Sequence, residues 1–333
     1  QKKIYDEIVG RIKKDDTSVP YKSNGYWYYT KFEKGGEYAI YCRKKETLEA
    51  KEEILINGNE LAEGHDYFAI GGMSISMDNR MLAYGIDTVS RRKYTVYFKN
   101  LETGELLTTT IPNTTGGCTW ANDNKTVFYT TKDEQTLRSD KIYKHKLGAD
   151  YQNDQLVYHE KDEAFYTTIY KSKSKKYLII GSGSTLTNHY LLLEADNPDG
   201  QFREFSEREE GMEYSIAHFE DKFYVITNWN AKNFRLMETK EINSSKANWN
   251  EVIAHRDDVF IEGIEVFRNH LVIEERKNGL MELRVINQLT KDEHYLDFGE
   301  PAYTAYSGTN PEFDTEIMRY GYTSMTTPSS VFD

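Results

Sequence analysis

Short runs of apolar, β-prone residues return along this chain, each entered through a small polar turn such as SMDNR (76–80) or ANDNK (121–125). They are Tyr26–Tyr29 (YWYY), Met81–Tyr84 (MLAY), Thr126–Tyr129 (TVFY), Tyr177–Ile180 (YLII), Lys222–Val225 (KFYV) and His270–Ile273 (HLVI). Glu316–Arg319 (EIMR) completes the series by spacing more than by residue type. Successive starts lie 55, 45, 51, 45, 48 and 46 residues apart.

Each run has companions. Alternating stretches precede it (Tyr67–Ile75, Gly117–Trp120, Phe165–Tyr170, Tyr214–Phe219, Ile261–Phe267, Tyr303–Tyr306), and a third follows, as in Tyr94–Phe98 or His189–Leu193. A fourth comes after a turn, as in Leu106–Ile111, Gln155–His159 or Asn250–Ala254. Alternation with a period of two is the mark of a half-buried strand. Four such strands in about 45–50 residues is the period of a propeller blade. The expected fold is therefore all-β: a seven-bladed β-propeller of four-stranded antiparallel blades, the last one incomplete. Two packed sandwiches would not need the same four-part order throughout.

The first twenty residues stand outside the repeat. Ile4, Ile8 and Ile12 fall four apart with Tyr5 and Val9 beside them, which predicts one apolar stripe on a short helix ended by Val19-Pro20. The division is a helix and linker over 1–20 and the propeller over 21–333. The helix would dock on the propeller or on a domain outside this chain.

Composition agrees with strand. There are 26 Tyr and only 6 Pro, and aromatic and β-branched side chains suit a pleated surface. The formal charge of −12 argues against a nucleic-acid partner, which needs clustered Lys and Arg, and favours cationic ligands. No apolar run is long enough for a bilayer-spanning helix, so no membrane partner is expected. Cys42 and Cys118 are expected as buried free thiols.

Catalytic motifs are missing. No Ser has Gly both two before and two after it, and no phosphate loop, Gly-x-Gly-x-x-Gly or His-Glu-x-x-His is present. HEKDE (159–163) has only the first half of the last motif, and the carboxylates of EREEG (207–211) read as turn residues. No metal ligand set and no cofactor are expected. The unusual segments are loops: GIDTVSRRK (85–93), IPNTTGG (111–117), TKDEQTLRSD (131–140) and GSGSTLTNH (181–189). In a propeller they would share one face, where binding residues concentrate.

DDTSVPYKSNGYWYYTKFEKGGEYAIYCRK (15–44), NELAEGHDYFAIGGMSIS (59–76), LAYGIDTVSRRKYTVYFKNLETGE (82–105), WANDNKTVFYTTKDEQTLR (120–138) and SGSTLT (182–187) closely resemble the oligopeptidase B (protease II) branch of the prolyl oligopeptidase family of serine peptidases. The resemblance implies a propeller that caps an α/β-hydrolase domain of the same parent chain and admits only short peptides, cleaved after Arg or Lys. That domain, with the Ser, Asp and His of the triad, is absent from this chain, so the 333 residues alone are expected to be inactive. YTSMTTPSSVFD (322–333) resembles the strand that leads into it. The parent is expected in the cytoplasm; a periplasmic or secreted parent stays open, because Gln1 is not an initiator residue.

The same resemblance makes two loops substrate-facing: Asn113, Thr114, Thr115 and Gly116 in one, and Ser182, Ser184, Thr185, Leu186 and Asn188 in the other. Thr115 and Leu186 stand where proline-specific relatives carry aromatic or sulfur side chains. Asp87, Arg91, Arg92 and Asp133 are candidates for salt bridges between domains. Two other functions fit the residues themselves: a free-standing propeller that binds peptides or proteins, and a sugar hydrolase built on paired channel carboxylates.

Overall fold

A computed structural model describes residues 1–333. The chain forms an all-β propeller in which strands adjacent in sequence are antiparallel neighbours in each sheet. The first sheet holds Tyr21–Ser23, Tyr26–Lys31, Ile40–Lys45 and Glu52–Asn57. The third begins at Tyr166–Lys171, the fourth at Tyr214–Phe219 and the fifth at Val259–Val266, each with four strands. Six of the apolar runs lie in the second strand of a repeat, where both neighbours are strands and the side chains are largely buried.

The expectation of a seven-bladed propeller of four-stranded blades is corrected: the structure does not have seven such blades. The strands form six hydrogen-bonded sheets: five of four or more strands, and a last one of three, Tyr303–Ser307, Tyr320–Ser324 and Ser330–Phe332. The second sheet runs through seven strands because one strand, Ile111–Trp120, serves two repeats. Its start pairs with Tyr94–Asn100 and its end with Thr126–Lys132, and Thr114 faces both Tyr94 and Thr131. Leu106 makes only an isolated bridge to Lys99, so the expected strand Leu106–Ile111 does not form. Glu316–Arg319 is likewise not strand; pairing starts one residue later, at Tyr320.

Glycine explains the shared strand. A Cβ on Gly85 would lie 2.3 Å from the Gly116 carbonyl oxygen, and one on Gly72 would lie 2.7 Å from the Gly117 Cα. Backbones this close exclude side chains, and Gly116 itself has φ +101°, which other residues rarely adopt. The strand can therefore bend from one repeat into the next without breaking.

Consecutive sheets are held by apolar layers. Leu55 and Ile56 of the first sheet pack on Leu82 and Tyr84 of the second. Within the second, Val96 and Phe98 meet Trp120 and Val127. Phe128 and Ile142 then meet Ile169 and Leu178, and Tyr177 and Ile179 meet Phe223 and Val225. Ile226 and Leu236 meet Leu271 and Ile273, and Val272 and Leu283 meet Ala305 and Tyr322.

The joint between the last and first sheets is polar instead. Arg319 Nη1 donates to the Pro20 carbonyl (2.7 Å), and the Asn24 amide donates to Glu312 Oε1 (2.6 Å). Arg319 is itself gripped by both carboxylate oxygens of Asp333 at 2.6 Å.

The N-terminal helix, Lys2–Arg11, has no buried residue. Ile4, Ile8 and Ile12 are 64%, 58% and 59% exposed, so the stripe forms but is not docked on the propeller. No helix is long and apolar enough to cross a membrane. Both cysteines are free and buried, as expected.

Gly85→Val tests the close approach of the shared strand. It should lower stability by roughly 2 kcal/mol or more, as overpacking does, read from the urea midpoint by circular dichroism. A variant as stable as the parent would mean that the two backbones are not in contact.

Candidate functional site

In sheets built this way, the turns between second and third strands emerge at the same end as the connections between sheets. The segments singled out from the sequence gather there, but in different states. Asp87 is buried, and its carboxylate accepts from the amides of Val89 (2.8 Å), Arg91 (3.0 Å) and Arg92 (2.7 Å). It braces its own loop. The Arg91 and Arg92 side chains are exposed, and the Arg92 carbonyl accepts from Lys132 Nζ at 2.7 Å. Exposed Asp133 closes a similar turn with the Gln135 and Thr136 amides, and the bonds from Thr136 lead in holding its pKa down.

Asn113–Gly117 is not the loop expected from its residues; it lies inside the strand Ile111–Trp120. Thr114 is buried, donating to the Tyr94 carbonyl at 3.1 Å and accepting from the Gly116 amide at 3.0 Å. Asn113 is exposed with φ 58°, Thr115 is half-buried and Gly116 is covered by the Tyr94 ring. The second segment does form a loop. Its base is fixed by the Ser184 amide on the Thr187 carbonyl (2.9 Å) and by Asn188, whose amide donates to the Met212 carbonyl (3.0 Å). Thr185 and Leu186 form its exposed tip, with Leu186 60% exposed.

Beneath that tip lies a cavity of about 630 Å³, bounded by Asp162, Phe165, Leu186, Thr187, Arg208 and Glu210. Its wall is a buried ionic network. Arg208 Nη2 donates to Glu160 Oε2 at 2.5 Å and stacks over the Phe165 ring at 4.2 Å. The Tyr158 hydroxyl donates to Glu160 (2.7 Å) and meets Ser182 Oγ (3.1 Å), which donates on to Thr167. Arg138 donates to the carbonyls of Glu160, Asp162 and Phe165, fastening the same connection from below.

Burial would raise the Glu160 pKa. The bonds from Arg208, Tyr158 and the Asp162 amide outweigh it and bring the carboxyl down from 4.5 to about 2. His189 lies 3.5 Å from Arg208, and burial, then that guanidinium, holds its pKa below the ordinary imidazole value. With Arg208 neutralised by Glu160, Asp162 and Glu210 leave the rim acidic. Sequence reasoning misses Glu160 and Arg208, which read as turn residues. The available signal is Arg208 as the single cation within EREEG.

On the opposite face Ser174 Oγ lies 2.8 Å from His218 Nδ1, and His218 Nε2 lies 3.0 Å from Glu241. This has the composition of a hydrolytic triad, with the two ring nitrogens in swapped roles. Ser174 occupies the turn position held by Asp78 and Asp123 in other repeats, where a side chain bonds back to Ser76 or Thr126. Its hydroxyl likewise meets Ser172 Oγ at 2.8 Å. The arrangement serves the turn.

The family model described as prolyl oligopeptidase, N-terminal beta-propeller domain, matches residues 1–333. The chain belongs to this family. Among the prolyl oligopeptidase relatives, dipeptidyl aminopeptidase BI of Pseudoxanthomonas mexicana is 40% identical over 99% of this chain and 48% of its own length. Protease 2 of Moraxella lacunata is 32% identical over 99% and 48%. Oligopeptidase B from Leishmania major superposes with a TM-score of 0.92 at 28% identity, covering 100% of this chain and 48% of that one. Oligopeptidase B from Trypanosoma brucei, in a closed form with covalently bound antipain, gives 0.89 at 27%, covering 99% and 48%. The chain thus spans about half the length of the relatives it matches, which carry a further portion of similar size. The family is one of serine peptidases, and this prolyl oligopeptidase propeller is its N-terminal part.

A depressed carboxylate pKa contributes stability above its unfolded value and loses it as pH falls through the folded value. Glu160 should therefore stabilise the fold fully above about 4.5 and lose its contribution down to about 2. Chemical denaturation across that range should show a steeper decline for the parent than for Glu160→Gln. Arg208→Met, which leaves the buried carboxylate without its cation, should cost roughly 3 kcal/mol at pH 7. Parallel pH curves for parent and Glu160→Gln would refute the network.

Proposed function

We propose that this chain is the lid of a serine endopeptidase that cuts short peptides after Arg or Lys. The ring covers the active site of an α/β-hydrolase domain of the same parent chain and restricts entry by substrate size. The observation that carries this reading is the 0.92 superposition on one half of oligopeptidase B from Leishmania major. The acidic rim of Asp162 and Glu210, on the face that would look toward the hydrolase domain, supports cationic substrates. Leu186 and Thr185, at the exposed loop tip above that rim, would touch the peptide; Arg91 and Arg92, exposed on the same face, would meet the partner domain.

A second reading has its own observation. The relative at 40% identity is named a dipeptidyl aminopeptidase, so the parent would remove dipeptides from free N-termini. Fluorogenic arginyl substrates separate the two. On the first reading, the parent cleaves a peptide with a blocked N-terminus; on the second, only free dipeptidyl substrates turn over.

The chain alone should hydrolyse neither substrate, and a fluorophosphonate should leave its mass unchanged. Turnover by a clean preparation, or an adduct on Ser174, would make Ser174, His218 and Glu241 an active site and end the lid reading.

A further inference from the structure

The first strands of the sheets converge on a central channel. At the face opposite the candidate site it has two lobes, of about 420 and 490 Å³. Four residues line both lobes: Ser23, Tyr170, Lys171 and Lys175. They form the neck between them. Such a position is unusual for two lysines in a chain of charge −12, where neighbouring cations are matched: Lys173 pairs with Glu265 at 2.5 Å and Lys176 with Glu241 at 2.6 Å.

Lys171 is held in place without being neutralised. Asn122 Nδ2 donates to the Lys175 carbonyl (3.0 Å) and to Asp196 Oδ1 (2.8 Å), which fixes the amide so that its oxygen accepts from Lys171 Nζ at 2.8 Å. An ammonium has three donors, and this bond uses one. Burial, and after it the like charge of Lys175, lowers the Lys171 pKa to about 8, although Asp196 and Asp123 pull the other way. Two cations are thus brought to one constriction, one of them oriented by a braced amide, with donors still free.

We propose that the neck is a binding site for a small oxyanion, a carboxylate or a phosphate, bridged between the Lys171 and Lys175 ammonium groups with the Ser23 hydroxyl as a further donor. An anion there would supply the acceptors that the protein withholds and would favour the charged form of Lys171. Its two sources share this chemistry: the C-terminal carboxylate of a peptide in the channel, or free phosphate. The site lies on the face away from the peptide-facing loops and does not depend on the peptidase reading.

Isothermal titration of the protein at pH 7 tests this with three probes: inorganic phosphate, a neutral acetylated tripeptide with a free C-terminus, and the same tripeptide amidated. Binding of phosphate or of the free acid, but not of the amide, is expected. The probe that binds identifies the source. Lys175→Ala and Lys171→Gln should each weaken that binding about tenfold, the loss of one charge-assisted contact, while Lys171→Arg retains most of it. Should Lys171→Gln fold poorly by circular dichroism, Lys175→Ala decides, since that side chain makes no bond within the protein. If neither phosphate nor free acid binds at 10 mM (about the weakest affinity of interest for a cellular anion), or if both lysine variants bind as the parent does, the proposal is wrong.

Discussion

A four-stranded sheet has two faces and can bury neither by itself. Everything else in this molecule follows from that constraint. Consecutive sheets lie face on face, and the residues that meet there are buried members of the second and third strands, such as Leu178 and Ile180 or Phe223 and Val225, while the last sheet meets the first through polar contacts. The stacking turns all first strands inward and makes a channel. It also collects the second-to-third turns and the inter-sheet connections at one end. The face that carries the candidate site is a by-product of burying apolar surface.

That face is kept rigid by ions. Loops that carry exposed tips would otherwise be the least stable parts of the fold. Here they are pinned from behind: Arg208 on Glu160, Arg138 on three carbonyls, and Arg256 and Arg284 on the fully buried Glu275. Breaking such a buried pair leaves an uncompensated charge, so removing one partner is strongly destabilising. Leu186 can then stand in solvent at a fixed height above its cavity.

Much of the fold is legible in the sequence because one rule writes it repeatedly. Runs such as MLAY and YLII alternate with polar turns at a nearly constant interval, and no other architecture needs that. What escapes is the number of blades, and the causes lie in particular segments. IPNTTGG has the vocabulary of a turn, yet its glycines serve a close approach to Gly72 and Gly85, which are distant in sequence and become neighbours only once the strands are stacked. EIMR fits the series by spacing alone, and the residues that pair are the aromatic-rich YGYTS that follows. The loop at Ser184–Thr187 is readable from the Ser, Thr and Gly of GSGSTLTNH (181–189). The Glu160–Arg208 pair is not, because its partners stand 48 positions apart and each sits in a string of ordinary surface charge.

The strand Ile111–Trp120 has one last consequence. Elsewhere, neighbouring sheets meet through side chains and a few single main-chain bonds, such as the Asn122 amide on the Ala195 carbonyl. Across this strand two repeats share main-chain pairing on both sides, bulged but unbroken from Val96 to Val127, so any slip would have to break it. The ring is consequently uneven in compliance: it has one welded corner, and the flexing of the remainder is referred to its other joints.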